Sequence, residues 1–156
     1  MRLAVISDTH LAAPSEWFEA VYAEYLASVD MLFHCGDSTS MRLWSYLQQH
    51  SRFEAVAGNS DSFDLASSLP TVLERSVVGN RLIVVHGWGE RQGLSQRIAK
   101  TLGNRADIIF FGHSHAFEDR VDGTTRMINP GCLQPGGSLA LVEMTGADVV
   151  VRRVDV

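Results

Sequence analysis

The sequence predicts an α/β fold, with a mixed sheet or two stacked sheets and helices on the outside. Three features carry that expectation. Short apolar runs alternate with amphipathic stretches through the first two-thirds of the chain. Strand and turn patterns take over in the last third. Most of the apolar runs end in a small cluster of Asp, Asn or His.

Taken in order, Leu3–Ile6 reads as a buried strand. Ser15 is a good N-cap, and Trp17, Val21, Tyr22 and Tyr25 recur at helical spacing to about Leu26. Met31–Phe33 is the next strand, Ser40 to about Gln49 a second helix, and Glu54–Ala57 a third strand. Beyond Pro70, runs at Val72–Val78 and Leu82–Val85 flank Gly79-Asn80 and predict a hairpin. A third helix covers about Leu94 to Leu102 and ends at Gly103, a good C′ residue. Ile108–Phe111 is another buried strand, and Asp122-Gly123 and Thr145-Gly146 join the final strand pairs.

At 156 residues the chain fits one domain, spanning 1–156, and no linker, repeat or low-complexity segment interrupts it. A net charge of −5 argues against an extended nucleic-acid surface. It leaves a phosphate substrate open, since bound cations reverse the local sign. The run Leu3-Ala4-Val5-Ile6 is too short for a signal peptide, and no run reaches membrane-spanning length. Cys35 and Cys132 form neither a disulfide framework nor a zinc pattern, so both are expected as reduced thiols in a cytoplasmic protein.

The chemistry lies in the polar clusters. Asp8-Thr9-His10 follows the first strand, Gly36-Asp37 the second, and Gly58-Asn59-Ser60-Asp61 the third. His86-Gly87 closes the hairpin, and Gly112-His113-Ser114-His115 follows the strand at Ile108. If these strands are parallel, every cluster lies at one end of the sheet, where open α/β sheets bind ligands. Carboxylates, imidazoles and one amide oxygen suit Mn²⁺, Fe²⁺, Zn²⁺ or Ni²⁺, while the lack of ligating thiolates speaks against structural zinc. Asp8 and His10, like His113 and His115, would point the same way on extended backbone. Taken alone, Asp-Thr-His reads better as a capped turn and His86 as a hydrogen-bonded loop or core histidine, Gly-Asp says little, and Gly-His-Ser-His fits metal and structure equally. Five in order, each after an apolar run, point to metal.

In order and wording these blocks resemble the calcineurin-like metallophosphoesterases, in particular the small bacterial and archaeal phosphodiesterases of that superfamily. The family's D-x-H, GD, GN, later His-Gly and G-H-x-H blocks run here from Asp8 to His115, and Asn129-Pro130-Gly131 resembles its downstream N-P-G turn. The resemblance implies a four-layer α/β/β/α sandwich and a pair of divalent ions, Mn²⁺ being the expected metal. It assigns Asp8, His10 and His115 to one ion and Asn59, His86 and His113 to the other, with Asp37 bridging. The implied activity is hydrolysis of a small phosphate ester, with a phosphodiester expected, by a hydroxide held between the ions. Asp37, Asn59 and His113 would then act in catalysis through the metals. The alternative is the scaffold role that the same fold plays in a retromer subunit, which binds partner proteins with little catalysis.

One departure bears on mechanism. Many relatives carry His directly after the motif Asn, as a proton donor to the leaving group, whereas this chain has Ser60 and then Asp61. Activated aryl diesters are therefore expected to react better than alkyl monoesters. Asp61 is either a substitute acid or a turn residue, and Ser60, Asp61 and Trp88 are the candidate substrate contacts. Cys132 stands where relatives often have Ser after N-P-G. His34 reads equally as a partner to the site or as a buried structural histidine, and His50 as a helix-end or surface residue. The helix aromatics Trp17, Tyr22, Trp44 and Tyr46 read as core packing or a homo-oligomer surface. Arg91, Arg97, Lys100 and Arg105 read as a solvated helix face.

Overall fold

In this computed structural model, which describes residues 1–146 and 148–156, ten strands form two five-stranded sheets. The first sheet has the order β10-β9-β1-β2-β3. It is built from β1 (Arg2–Ile6), β2 (Met31–His34), β3 (Phe53–Ala55), β9 (Ser138–Thr145) and β10 (Asp148–Asp155). The second has the order β4-β5-β6-β8-β7. Its strands are β4 (Val72–Val77), β5 (Asn80–Val85), β6 (Ile108–Phe110), β7 (Phe117–Asp122) and β8 (Thr125–Pro130). β1, β2 and β3 run parallel, with Ile6 beside His34 and His34 beside Ala55. β5, β6 and β8 are likewise parallel, and antiparallel β4 and β7 close the two edges. Each sheet thus contributes three parallel strands, and the polar clusters follow the C-terminal ends of five of these six.

The two sheets pack face to face. Alternate residues Leu3, Val5 and Phe33 of one sheet meet Val84, Phe110 and Ile128 of the other in the central core, with Phe33 and Phe110 edge to face at 5.6 Å. The opposite face of the first sheet (Ala4, Ile6, Leu32, Leu141) is covered by α1 (Glu16–Val21) and α2 (Met41–Leu47) through Phe18, Val21, Leu43 and Leu47. α4 (Leu94–Leu102) covers the second sheet through Leu94, Ile98 and Leu102. The result is the four-layer α/β/β/α sandwich. Ser15 and Ser40 cap α1 and α2 by accepting from Phe18 N and Leu43 N. Tyr22 and Tyr46 stack edge to face at 5.3 Å, so these aromatics serve helix packing. Among the described residues no helix is long and apolar enough to cross a membrane.

Several expectations are corrected. A short helix, α3 (Phe63–Ser68), lies where none is expected; it buries only Leu65, so it leaves almost no periodic apolar signal. α1 runs on through a wider π turn over Tyr22–Leu26. The hairpin turn is Val78-Gly79, at φ 49° and 81°, and Asn80 already belongs to β5 opposite Val77. Gly103 has φ −60° and opens a 3₁₀ turn rather than a left-handed cap. His50 is buried, its ring joining the Val29 carbonyl at 3.0 Å to the Arg52 N–H at 3.2 Å, not a surface or helix-end partner.

Candidate metal centre

Where β1, β2 and β3 end beside the ends of β5 and β6, the chain turns sharply. Asp8, His10, Asp37, His113 and His115 all have positive φ, from 47° to 65°. That corrects the extended reading of the D-x-H and H-x-H blocks: left-handed residues aim both side chains inward. Two glycines make the turns compact. A Cβ on Gly58 would lie 2.1 Å from Asp37 Oδ1, and one on Gly112 would lie 1.9 Å from Ser7 Oγ.

Two groups of donor atoms converge there. In the first, His115 Nε2 is 3.1 Å and His10 Nε2 3.8 Å from Asp8 Oδ1, and the two ring nitrogens are 3.4 Å apart. In the second, His86 Nε2 is 3.0 Å from Asn59 Oδ1 and 3.3 Å from His113 Nδ1. Asp37 Oδ2 lies between them, 3.8 Å from His10 Nε2 and 3.5 Å from His86 Nε2. The structure therefore brings all seven expected side chains together.

The surrounding hydrogen bonds leave the inward atoms of Asp8, Asp37, His86 and His113 free. Asp8 Oδ2 accepts from Ser7 Oγ at 2.6 Å and His113 N at 3.0 Å, whereas its buried Oδ1 has no hydrogen-bond partner among the described residues. Asp37 Oδ1 accepts from Ser60 N at 2.7 Å, leaving Oδ2. His86 Nδ1 donates to the Cys35 carbonyl at 2.7 Å, and His113 Nε2 to the Gly89 carbonyl at 2.8 Å. The lone pairs of His86 Nε2, His113 Nδ1 and Asn59 Oδ1 consequently face one another. Acceptors packed this closely, beside an orphaned carboxylate oxygen, fit a shared cation.

The chain matches the family model for the calcineurin-like phosphoesterase superfamily domain over residues 1–147. It belongs to that superfamily. A probable metallophosphoesterase of Bacillus subtilis is 30% identical over 140 residues, covering 86% of this chain and 76% of that protein. A solved Streptococcus pneumoniae protein described as a predicted phosphoesterase superposes with a TM-score of 0.79 at 25% identity, covering 99% of this chain and 88% of that one. Zinc-bound Vps29 of Entamoeba histolytica shares the fold, with a TM-score of 0.74 at 21% identity over 99% of both chains. The coarse activity is thus metal-dependent hydrolysis of a phosphate ester, and the convergent cluster supplies candidate metal-binding residues for it.

Charge and burial oppose each other within the phosphoesterase centre. Burial alone would raise the Asp37 carboxyl, but the His86 ring and the Ser60 N–H hold it well below the carboxylate range. Burial would lower His86, but Asp37 and Asp8 together raise it. His115 is lowered by burial, aided by the neighbouring Arg91 and His10 against the pull of Asp8.

The other candidates divide. Trp88, 39% exposed, walls a cleft of about 370 Å³ with Asn59, His86, Thr71 and Ala66. Ser60 uses its N–H on Asp37, and its Oγ accepts from Asn59 Nδ2 at 3.1 Å. Asp61 is committed on both oxygens to main-chain donors, Thr39 N and Gly58 N, each at 2.7 Å, which is the turn role. His34 is buried and neutral, accepting from Gly36 N at 3.1 Å and donating to Thr9 Oγ1 at 3.2 Å; burial, with His86 nearby, pushes it down to about 3. Cys132 Sγ donates to the Asp8 carbonyl at 3.1 Å, and burial pushes that thiol up to about 11. Arg97 is no solvated helix residue, since its guanidinium bonds three loop carbonyls. A larger groove of about 600 Å³ beside Trp44, Phe53 and Arg75 is lined by none of the converging donors. What the sequence reading missed is main chain: the carbonyls of Cys35 and Gly89 that orient the imidazoles.

Proposed function

We propose that this phosphoesterase domain holds two divalent ions, Mn²⁺ in preference to Fe²⁺, Zn²⁺ or Ni²⁺, and hydrolyses small phosphodiesters. Asp8, His10 and His115 hold one ion, Asn59, His86 and His113 the other, and Asp37 both. The observation that carries the reading is the position of Asp37 Oδ2 within 3.8 Å and 3.5 Å of nitrogens from the two donor groups. Bound ions of this kind supply positive charge to the phosphate oxygens and make water acidic enough to serve as nucleophile near neutral pH.

The chain's own residues do the rest. Ser60 holds both neighbours, its N–H donating to Asp37 Oδ1 and its Oγ accepting from Asn59 Nδ2, so Asp37 and the amide oxygen enter the site in one fixed arrangement. No imidazole follows Asn59, and Asp61 is occupied by main-chain donors, so the site offers a leaving group little protonation. That supports diesters with stable leaving groups over alkyl monoesters. Free Cys35 and Cys132 suit a reducing, cytoplasmic setting.

Hydrolysis of bis-p-nitrophenyl phosphate by Mn²⁺-reconstituted protein tests the proposal, with metal content measured in parallel and a chelator as control. Two ions per chain and chelator-sensitive turnover are expected, both lost in Asp37→Ala. Turnover that survives complete demetallation would reject it. Two bound ions without turnover on any ester would favour the protein-binding scaffold.

A further inference from the structure

The segment between β5 and α4, residues 86–93, carries no regular structure, yet two metal-site histidines depend on it. Gly89 supplies the carbonyl that accepts from His113 Nε2 at 2.8 Å. Arg91 Nη2 reaches within 3.5 Å of His115 Nε2. Trp88 forms the wall of the cleft. A free eight-residue loop would sample many conformations and hold none of these atoms in place.

One side chain on α4 removes that freedom. Arg97 Nη1 donates to the carbonyls of Trp88 at 3.2 Å and Glu90 at 3.0 Å, and Nη2 donates to that of Gln92 at 3.3 Å. Its guanidinium lies against Gly89, where a Cβ would stand 3.5 Å from Cζ, and Gly89 itself has φ +79°. A planar fork of donors suits carbonyls at alternate residues, which a lysine ammonium could not span. All three bonds end on the loop that bears the Gly89 carbonyl.

We propose that Arg97 is a positioning residue: by clamping 88–92 it aims the Gly89 carbonyl at His113 Nε2, and so fixes the tautomer that presents Nδ1 to the metal. The assignment of His113 as a ligand rests on the proposed function; the clamp and the tautomer do not. Loss of a partner that orients a ligand imidazole typically lowers metal affinity about 10–100-fold.

The test is imidazole ¹⁵N NMR on metal-free protein, joined to metal titration, for wild type, Arg97→Leu and Arg97→Lys. The wild-type His113 ring is expected as the Nε2–H tautomer. In both variants it becomes a tautomer mixture, the ion at His86 and His113 weakens about 10–100-fold, and the ion at Asp8, His10 and His115, which meets the segment only through Arg91, weakens less. Added methylguanidinium should restore the Arg97→Leu tautomer. A His113 ring unchanged in Arg97→Lys, with wild-type affinities, would overturn the proposal and leave Arg97 a stabilising contact only. Should the wild type bind no second ion, the proposed function fails, and the metal-free tautomer still decides the role of Arg97.

Discussion

His86 Nδ1 donates to the Cys35 carbonyl at 2.7 Å, and this bond joins the two sheets at the candidate metal centre. Cys35 follows β2 in the first sheet and His86 follows β5 in the second. The bond fixes His86 with Nε2 toward Asn59 and Asp37. Gly36 has to remain bare for it: a Cβ there would stand 2.7 Å from His86 Nδ1. A packing requirement between sheets and a ligand requirement are met by the same few atoms.

Gly58 is expected to be as strict. Its Cβ would meet Asp37 Oδ1 at 2.1 Å and Asp37 N at 2.3 Å, and the latter is main chain that cannot swing away. Gly58→Ala should cost about 1–3 kcal/mol in urea denaturation. It should also abolish binding of both ions, because Asp37 faces both donor groups. Full metal content in a folded Gly58→Ala protein would show that Asp37 does not join them.

Asp61→Asn separates a turn clamp from an acid. An amide must turn its NH₂ toward Gly58 N or Thr39 N, leaving one part-buried donor opposed, at about 1 kcal/mol. The rate should then fall by the same factor for aryl and alkyl esters. A loss confined to alkyl leaving groups would make Asp61 the proton donor after all.

The sequence reveals what side-chain identity encodes. Asp8, Asp37, Asn59, His86 and His113 are visible because each follows an apolar run long enough to be a strand. The extended geometry inferred for Asp8 and His10 fails because left-handed backbone at non-glycine residues has no compositional sign. The carbonyls of Cys35 and Gly89 are illegible for a related reason: any residue offers one, and only the folded chain selects which. α3 escapes notice because Leu65 alone is buried. His50 misleads because its place near a helix end hides a buried bridge between Val29 and Arg52.

His34 predicts a pH dependence of stability. Its ring, near 6.5 when unfolded, is pushed to about 3 by burial, with His86 and His10 adding to the effect against Asp37. Below pH 6.5 the unfolded chain takes up a proton that the folded chain refuses, so stability is present above 6.5 and is lost as pH falls toward 3. The loss from this group should reach about 2 kcal/mol between pH 6.5 and 5. His34→Asn keeps an acceptor for Gly36 N and removes the titration. Urea denaturation in chelator should show a flatter acid limb for this variant; equal slopes would mean that His34 is protonated in the fold.

The leaving-group preference turns on Ser60, which is exposed and so leaves room for a larger ring. Its main-chain N–H, which holds Asp37 Oδ1 at 2.7 Å, survives any substitution other than proline. Ser60→His should therefore leave Asp37 in place, at the loss of the Oγ that accepts from Asn59 Nδ2, while adding a proton donor beside the cleft. A positioned general acid is worth about 10²–10⁴-fold, and its benefit grows as the leaving group becomes more basic. Wild-type turnover should accordingly fall steeply from nitrophenyl to alkyl diesters, and Ser60→His should raise the alkyl rates while changing the nitrophenyl rate little. The slope of log kcat/KM against leaving-group pKa measures both effects. If that slope is shallow in the wild type, another group already delivers the proton, and the exposed Arg91 beside His115 is where the search for it would begin.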